Sequence, residues 1–483
     1  MKMESLLQAA NSAIKENQKE VKPRWYPEYH LAPPVGWMND PNGLTWFDGY
    51  FHAFYQHHPS SPEWGPMHWG HARSRDMVRW EHLPVALAPE GPEDRDGCFS
   101  GSAVVAGEKL ALIYTGHKFH GQPVDENLYQ VQCLATSSDG VTFQREGMVL
   151  DTPEGLHHFR DPKVWREKEA WYMVVGAKKQ GKGEVQIYRS ADLRHWDVES
   201  AIAGEAICSA YMWECPDLFP LGDKHILMFS PQGVAAEGYR YRNLFQSGYV
   251  VGRWQPGETF APEGAFQELD HGHDFYAPQS FTTPDGRRVI MGWLAMWESV
   301  MPEKADGWAG MLSLPRELTL SEDGRVCQHP VKELEALRGT CEQWQPAKLQ
   351  QQKVILKEHV RAMEVQVEWE TSSSDAERYG LSLGSGARIY VDNQSQRIVL
   401  ERHYPEHNIS GYRSVPLPEG DLLRWWLFID SSSLELFINA GEYTMSSRIY
   451  PTDDDRQMAL FSHSGNATVH HACAWPLSAG EPS

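Results

Sequence analysis

Five short apolar runs punctuate the first two-thirds of the chain: Tyr50–Tyr55, Leu110–Tyr114, Trp171–Val175, His225–Phe229 and Arg288–Trp293. Runs this short, bounded by turn-forming or charged residues, read as buried strands rather than helices. The turn signals include Asp48-Gly49, Gly107-Glu108, Asp223-Lys224 and Asp285-Gly286. The residues just before the runs are 49, 109, 170, 224 and 287, giving intervals of 60, 61, 54 and 63. A second marker, Ser-x-Asp-x-x-x-aromatic, recurs at Ser74–Trp80, Ser137–Phe143 and Ser190–Trp196. Repeats of about sixty residues, each a few strands and turns, predict a five-bladed β-propeller around a central channel. A β-sandwich or a pair of barrels is the alternative that the same strands allow.

The pattern changes near residue 325. Val331–Arg338 reads as a short helix capped by Gly339, and the Gln-rich stretch 343–352 as linker. Beyond it, Met363, Val365, Val367 and Trp369 alternate with Glu364, Gln366 and Glu368, and runs at Ala387–Val391, Arg397–Leu400, Leu422–Ile429, Leu434–Ile438 and Met458–Phe461 continue the theme. Several short strands of this kind predict a β-sandwich. At the other end, Leu6, Leu7, Ala10, Ala13 and Ile14 fall at helical spacing and predict an amphipathic cap helix, not a secretory signal. The expected organisation is all-β: a helical cap over 1–24, a propeller over 25–325, a linker with a short helix over 326–350, and a sandwich over 351–480.

Composition narrows the partners. A chain of 483 residues exceeds the span of one hydrophobic core. Lys plus Arg total 44 against 65 Asp plus Glu, a net charge of −21, which repels phosphate backbones and anionic lipid heads. No nucleic acid or membrane partner is expected. The longest apolar run, Val289 to Trp297, falls well short of a bilayer span. Seven scattered cysteines with no C-x-x-C pair fit reduced thiols in a cytoplasm. The 19 Trp, 19 Tyr and 17 Phe fill a β-rich core or supply flat faces for stacking on sugar rings.

The repeat register points to the chemistry. Nine residues before positions 49, 109 and 170 stand Asp40, Ser100 and Asp161, and ten before 224 stands Glu214. The fifth repeat offers Asp274–Pro278, offset by a few residues. Equivalent positions in a propeller lie at one height around the channel, so these carboxylates are expected to face one another. Asp40 lies in an Asn-Asp-Pro-Asn-Gly turn sequence, whose backbone N–H groups are expected to keep it ionised. Asp161 has the adjacent Arg160. Glu214 lies among Tyr211, Met212, Trp213 and Cys215, where an unpaired carboxyl is expected to retain its proton. Two or three carboxylates in opposed environments suit glycoside hydrolysis by an acid and a nucleophile. Paired histidines at 57–58, 157–158 and 271/273 lack zinc spacing and read as structural or surface groups. Cys215 reads as packing.

Seven ordered motifs carry a resemblance: Trp37–Gly43, Trp64–Ala72, Phe99–Ser102, Phe159–Pro162, Trp213–Asp217, Asp274–Ser280 and Gly307–Gly310. Together they resemble the invertase (β-fructofuranosidase) family of glycoside hydrolases, family 32, particularly bacterial cytoplasmic sucrose or sucrose-6-phosphate hydrolases. The resemblance implies a five-bladed propeller joined to a β-sandwich and a retaining mechanism on a small-molecule β-fructofuranoside, without metal or other cofactor. It implies Asp40 as nucleophile, Glu214 as acid/base and Asp161 as stabiliser of the fructose hydroxyls. It further implies Asn39, Gln56, Trp64, Phe99, Ser100, Arg160 and Trp293 around the sugar. A fructosyltransferase, or a sugar-binding propeller without catalysis, is the alternative function. The sequence carries no signal for oligomeric state.

Overall fold

Each of the five apolar runs is the second strand of a separate antiparallel sheet, lying in Tyr50–His58, Lys109–Phe119, Ala170–Lys179, Lys224–Gln232 and Arg288–Trp293. The computed structural model describes residues 4–480. The first sheet runs Gly36–Phe47, Tyr50–His58, His68–Ser74, Glu81–Leu87. The second runs from Gly97–Ala106 to Gln144–Leu150 and the third from Phe159–Glu167 to Asp197–Ala203. The fourth opens with Met212–Leu221, and the fifth opens with Tyr276–Thr282 and closes with Val326–Pro330. Sequential strands are neighbours in space, as short hairpin connections require. One connection departs from this rule. Between two strands of the fifth sheet, Trp308–Ala309 crosses to pair in parallel with Gly36 and Trp37 of the first sheet.

The Ser-x-Asp marker builds the turn between third and fourth strands in the first three sheets. Ser74, Ser137 and Ser190 each donate a hydroxyl to Asp76, Asp139 and Asp192. Each Asp accepts two backbone N–H groups, those of Val78 and Arg79 in the first case. This is Asx-turn chemistry, and it leaves the aromatic residue free to pack on the sheet.

The opening strand of every one of the five sheets is broken against its neighbour. The pairing slips between Met38 and Pro41, Cys98 and Gly101, Arg160 and Lys163, Glu214 and Asp217, and Tyr276 and Gln279. In four of the five a proline follows the bulged residue (Pro41, Pro162, Pro216, Pro278), and lacking an N–H it cannot join the ladder. Asp161, Cys215 and Ala277 take left-handed φ values of 69°, 49° and 54°. These five breaks converge: a narrow cavity of about 10 Å³ is lined by Asn42, Ser100, Asp161, Cys215 and Ala277, one from each sheet.

The remaining strands form a seven-stranded and a six-stranded sheet. Met363, Val365, Val367 and Trp369 alternate inward as expected, and share a core with Leu381, Ile389 and Leu400 of the other sheet. Two expectations need correction. The Gln-rich stretch is not a linker: Glu342–Trp344 and Ala347–Gln350 pair with Asn466–Pro476. Residues Lys332–Leu337 form a 3₁₀ rather than an α-helix, and Arg338 leaves it in an extended conformation without a glycine cap. The N-terminal helix Leu6–Asn17 forms, with a Ser5–Gln8 capping box, but Leu6 is 51% exposed. Polar contacts hold it as well, Asn11 accepting the Val85 N–H and Glu90 the Leu7 N–H.

Candidate active site

A β-bulge re-aims the side chains beside it, and five bulges at one height create two rows of inward-facing residues. One row is Asn39, Phe99, Arg160, Glu214 and Tyr276. The next, one residue on, is Asp40, Ser100, Asp161, Cys215 and Ala277. Seven of the ten, all but Tyr276, Cys215 and Ala277, open onto a cavity of about 380 Å³ lined by Asn39, Asp40, Gln56, Trp64, Phe99, Ser100, Arg160, Asp161 and Glu214. Nine of the ten expected site residues therefore meet there. Trp293 does not. It is fully buried behind Trp37 and Trp297, at ring distances of 5.8 and 4.9 Å, and Trp297 takes the place on the cavity wall.

Within each row, neighbours on adjacent sheets bond to one another. Glu214 sits between its row-mates: Arg160 pairs with Oε2 at 2.9 Å, and the Tyr276 hydroxyl donates to Oε1 at 2.6 Å. Gln232 Nε2 donates to the same Oε1 at 2.9 Å. Glu214 is thus not the unpaired carboxyl that its apolar neighbours implied. Met212 and Trp213 are buried within the protein while the bulge turns Glu214 toward Arg160.

In the other row, Ser100 Oγ donates to Asp40 at 2.7 Å, and Asn39 of the first row adds its Nδ2 at 3.0 Å. The Cys215 N–H donates to Asp161 at 3.0 Å, and the Cys215 thiol lies 3.5 Å from Asp40 and 3.6 Å from Asp161. The expectation that turn N–H groups cradle Asp40 also fails. Asp40 lies in a strand and its partners are side chains. Burial, then the charge of Glu214, pushes its carboxyl up to about 6, against the lowering effect of Ser100, Asn39 and Cys215. Burial and the Glu214 charge push Asp161 upward too.

The sequence missed several groups. His158, read as structural or surface, accepts from Arg160 Nη1 at its Nδ1 (2.7 Å) and reaches Asp125 through Nε2 (3.2 Å). A hydrogen-bond chain thus runs from Asp125 through His158 and Arg160 to Glu214. Burial, then the Arg160 charge, lowers His158 to about 4, so its imidazole is neutral. Its partners assign the tautomer that accepts at Nδ1 and donates at Nε2. Cys215, read as packing, touches both carboxylates. Tyr276 lay within a quoted motif but without a role. Gln232, Phe245, Asp125 and Glu298 had no local signal at all. One oxygen each of Asp40 and Asp161 and the Cys215 Sγ lie within 4.8 Å of one another. Burial, then Asp161 and Asp40, raises that thiol, which stays protonated. Two carboxylates and a protonated thiol are a poor donor set for a hard or a soft cation.

Two buried carboxylates and a third, half-buried one sharing a sugar-sized cavity define a hydrolytic site of the glycosidase type. The domain described as glycosyl hydrolases family 32 N-terminal matches residues 30–330, and the family 32 C-terminal domain matches residues 333–476. The chain belongs to glycosyl hydrolase family 32 and is a glycoside hydrolase. It is 54% identical to a sucrose-6-phosphate hydrolase of Escherichia coli, over 98% of this chain and 99% of that one. It is 52% identical to a raffinose invertase of Escherichia coli, over 99% and 100%. Among solved structures it is similar to a Bombyx mori GH32 β-fructofuranosidase, at 37% identity and a TM-score of 0.85, covering 98% of both chains. A variant of that silkworm enzyme in complex with sucrose matches equally well.

Proposed function

We propose that the chain is a retaining β-fructofuranosidase that hydrolyses sucrose to glucose and fructose. The observation that carries the reading is the convergence of Asp40, Asp161 and Glu214 from three sheets into one cavity. The names of the relatives above point to the same substrate class. In this mechanism Asp40 attacks the anomeric carbon of the fructosyl group while Glu214 gives its proton to the glycosidic oxygen, releasing glucose. Glu214 then takes a proton from water, which displaces Asp40 and leaves fructose in its original anomeric configuration. Asp161 and the neighbouring Asn39, Gln56 and Ser100 hold the fructose hydroxyls, and Trp64 and Phe99 supply apolar faces. Arg160 and Tyr276 orient Glu214.

The five sheets are, in this reading, the blades of a propeller and the two larger sheets a sandwich. The convergence of five opening strands on one cavity supports the blades, and Trp308–Ala309 pairing back onto the first sheet supports closure. The boundary we propose lies between Val326–Pro330, which ends the fifth sheet, and Glu342–Trp344, which begins the larger ones. Among the described residues no helix is long and apolar enough to cross a membrane. Seven unpaired cysteines support a reducing, cytoplasmic compartment.

The test compares two variants on two substrates. Glu214→Ala is expected to lose about 10²–10⁴-fold on sucrose and to recover much of the fructosyl-transfer step on a fructoside with an activated phenol leaving group. Asp40→Ala lacks the nucleophile and gains nothing from the better leaving group. Rescue of Asp40→Ala alone would reverse the two roles. A first-formed fructose of inverted configuration would remove the covalent intermediate.

A further inference from the structure

The glucose end of the cavity lies beyond Glu214, because the group that protonates the glycosidic oxygen faces the leaving sugar. The walls there are charged in one sense. Asp125 and Glu298 line the cavity mouth, and both raise the pKa of Tyr211, after burial and together with Glu214. Asp125 stays ionised: burial opposes this, but the Lys178 hydrogen bond holds it below the usual carboxylate range. The cations that touch Glu214 and Asp125 are already matched. Arg160 is bound to Glu214 at 2.9 Å, and Lys178 to Asp125 at 3.2 Å. The two histidines on the wall, His117 and His158, are lowered by burial to about 3 and about 4, and contribute no charge at neutral pH. Glu298 is exposed and, among the described residues, forms no ion pair.

Resting on the β-fructofuranosidase reading, we infer that Asp125 and Glu298 are specificity determinants that restrict the leaving group to a neutral sugar and exclude its phosphate ester. A phosphate dianion on the glucose would enter a mouth edged by Asp125 and Glu298, above three further carboxylates, where the cavity-wall cation Arg160 and the neighbouring Lys178 are already held by Glu214 and Asp125. Like charges so placed disfavour a wrong partner and slow its approach. The same rim is neutral toward sucrose, whose hydroxyls can donate to both carboxylates. The inference separates this chain from the activity in the name of its E. coli sucrose-6-phosphate hydrolase relative.

The experiment measures kcat/KM on sucrose and on sucrose 6-phosphate, at a pH where the phosphate is dianionic, at low and at high salt. The expected preference for sucrose is at least about tenfold at low salt and narrows as added salt screens the exposed rim. Asp125→Asn and Glu298→Lys are each expected to reduce that ratio at least about threefold by raising turnover of the ester. The ratio is the readout because Asp125 also touches His158, and its loss can slow both substrates together. Equal or better turnover of the ester by the unaltered enzyme overturns the inference and leaves the β-fructofuranosidase reading intact. A sucrose preference unmoved by salt and by both variants overturns the assignment to these two carboxylates. Turnover of neither substrate removes the β-fructofuranosidase reading itself, and this inference with it.

Discussion

At Asp40 the needs of folding and of chemistry oppose each other. Its carboxyl is buried, accepts from Ser100 and Asn39, and has its pKa raised from 3.8 to about 6, chiefly by burial. A carboxyl raised in the folded state contributes stability that is fully present below about pH 3.8 and lost as the pH rises through about 6. At neutral pH the folded chain therefore carries a carboxylate that water would hold better. Asp40→Asn keeps the shape and one acceptor and removes the charge. It is expected to be inactive on sucrose yet more stable at pH 7.5, by on the order of 2–3 kcal/mol. The gain should vanish near pH 4, and chemical denaturation of both proteins at the two pH values measures it. Lower stability of Asp40→Asn at pH 7.5 would show that the hydrogen bonds outweigh the buried charge. At this scale the three acids were legible in the sequence because turn-like motifs and a repeat register singled them out. Their protonation was not legible. For Asp40 and Asp161 it depends on burial and then on Glu214, which approaches from another sheet, with Ser100 acting on Asp40 and the Cys215 N–H on Asp161.

The bulges explain one detail that the sequence register left unexplained. Counting back nine residues from the positions just before the apolar runs (49, 109 and 170) reaches Asp40, Ser100 and Asp161, but Glu214 required a tenth from 224. The structural equivalent of Asp40 and Asp161 in the fourth sheet is Cys215, and Glu214 belongs to the row of Arg160 and Tyr276. Likewise the fifth sheet contributes Ala277, not Asp274, which instead pairs with Arg402 of the six-stranded sheet at 2.7 Å. Apolar runs disclosed the second strands because those are buried on both faces. They were silent on the opening strands, where a bulge breaks the two-residue alternation. The break also requires close backbone approach from the neighbouring sheet. A Cβ on Gly176 would stand 2.2 Å from the Trp213 carbonyl oxygen. A main-chain oxygen cannot swing aside, so Gly176→Ala must shift the segment that carries Glu214. The expected cost is about 1–3 kcal/mol of stability. A fall in kcat of at least about tenfold, larger than any change in KM, is expected from the displaced acid. Thermal denaturation and steady-state kinetics on sucrose check both. Full kcat at reduced stability would show that the spacing of the sheets does not govern the placement of Glu214.

Across the whole molecule, the change of texture near residue 325 falls beside Val326–Pro330, the last strand of the fifth sheet, but nothing local announced how that sheet is joined to the larger ones. The junction is a buried ionic network between residues far apart in the chain. Arg316 lies between Asp270 at 3.0 Å and Glu435 at 2.8 Å. Arg448 pairs with Glu303 at 2.9 Å. His30, ahead of the first sheet, is clamped by Asp430 at 2.7 Å and Glu435 at 2.5 Å, both in the seven-stranded sheet. Buried ion pairs of this kind add little net stability over an apolar replacement, but losing one partner strands the others. Burial opposes the His30 charge, yet its hydrogen bonds to Asp430 and Glu435 and their charges outweigh that effect and raise the imidazole to about 9. A histidine raised in this way contributes stability that is complete below its unfolded value near 6.5 and is lost as pH rises through about 9. His30→Gln can still donate a hydrogen bond but leaves Asp430 without its cation and Glu435 with Arg316 alone. At pH 6 it is expected to lose about 3–5 kcal/mol relative to the unaltered chain. By pH 9 or above, where the unaltered His30 has itself given up its proton, the gap should have narrowed substantially. Chemical denaturation at pH 6, 7.5 and 9.5 follows it. A gap that stays constant across that range would mean that the neutral ring holds the junction by packing and hydrogen bonding alone, and that the charge on His30 contributes nothing to it.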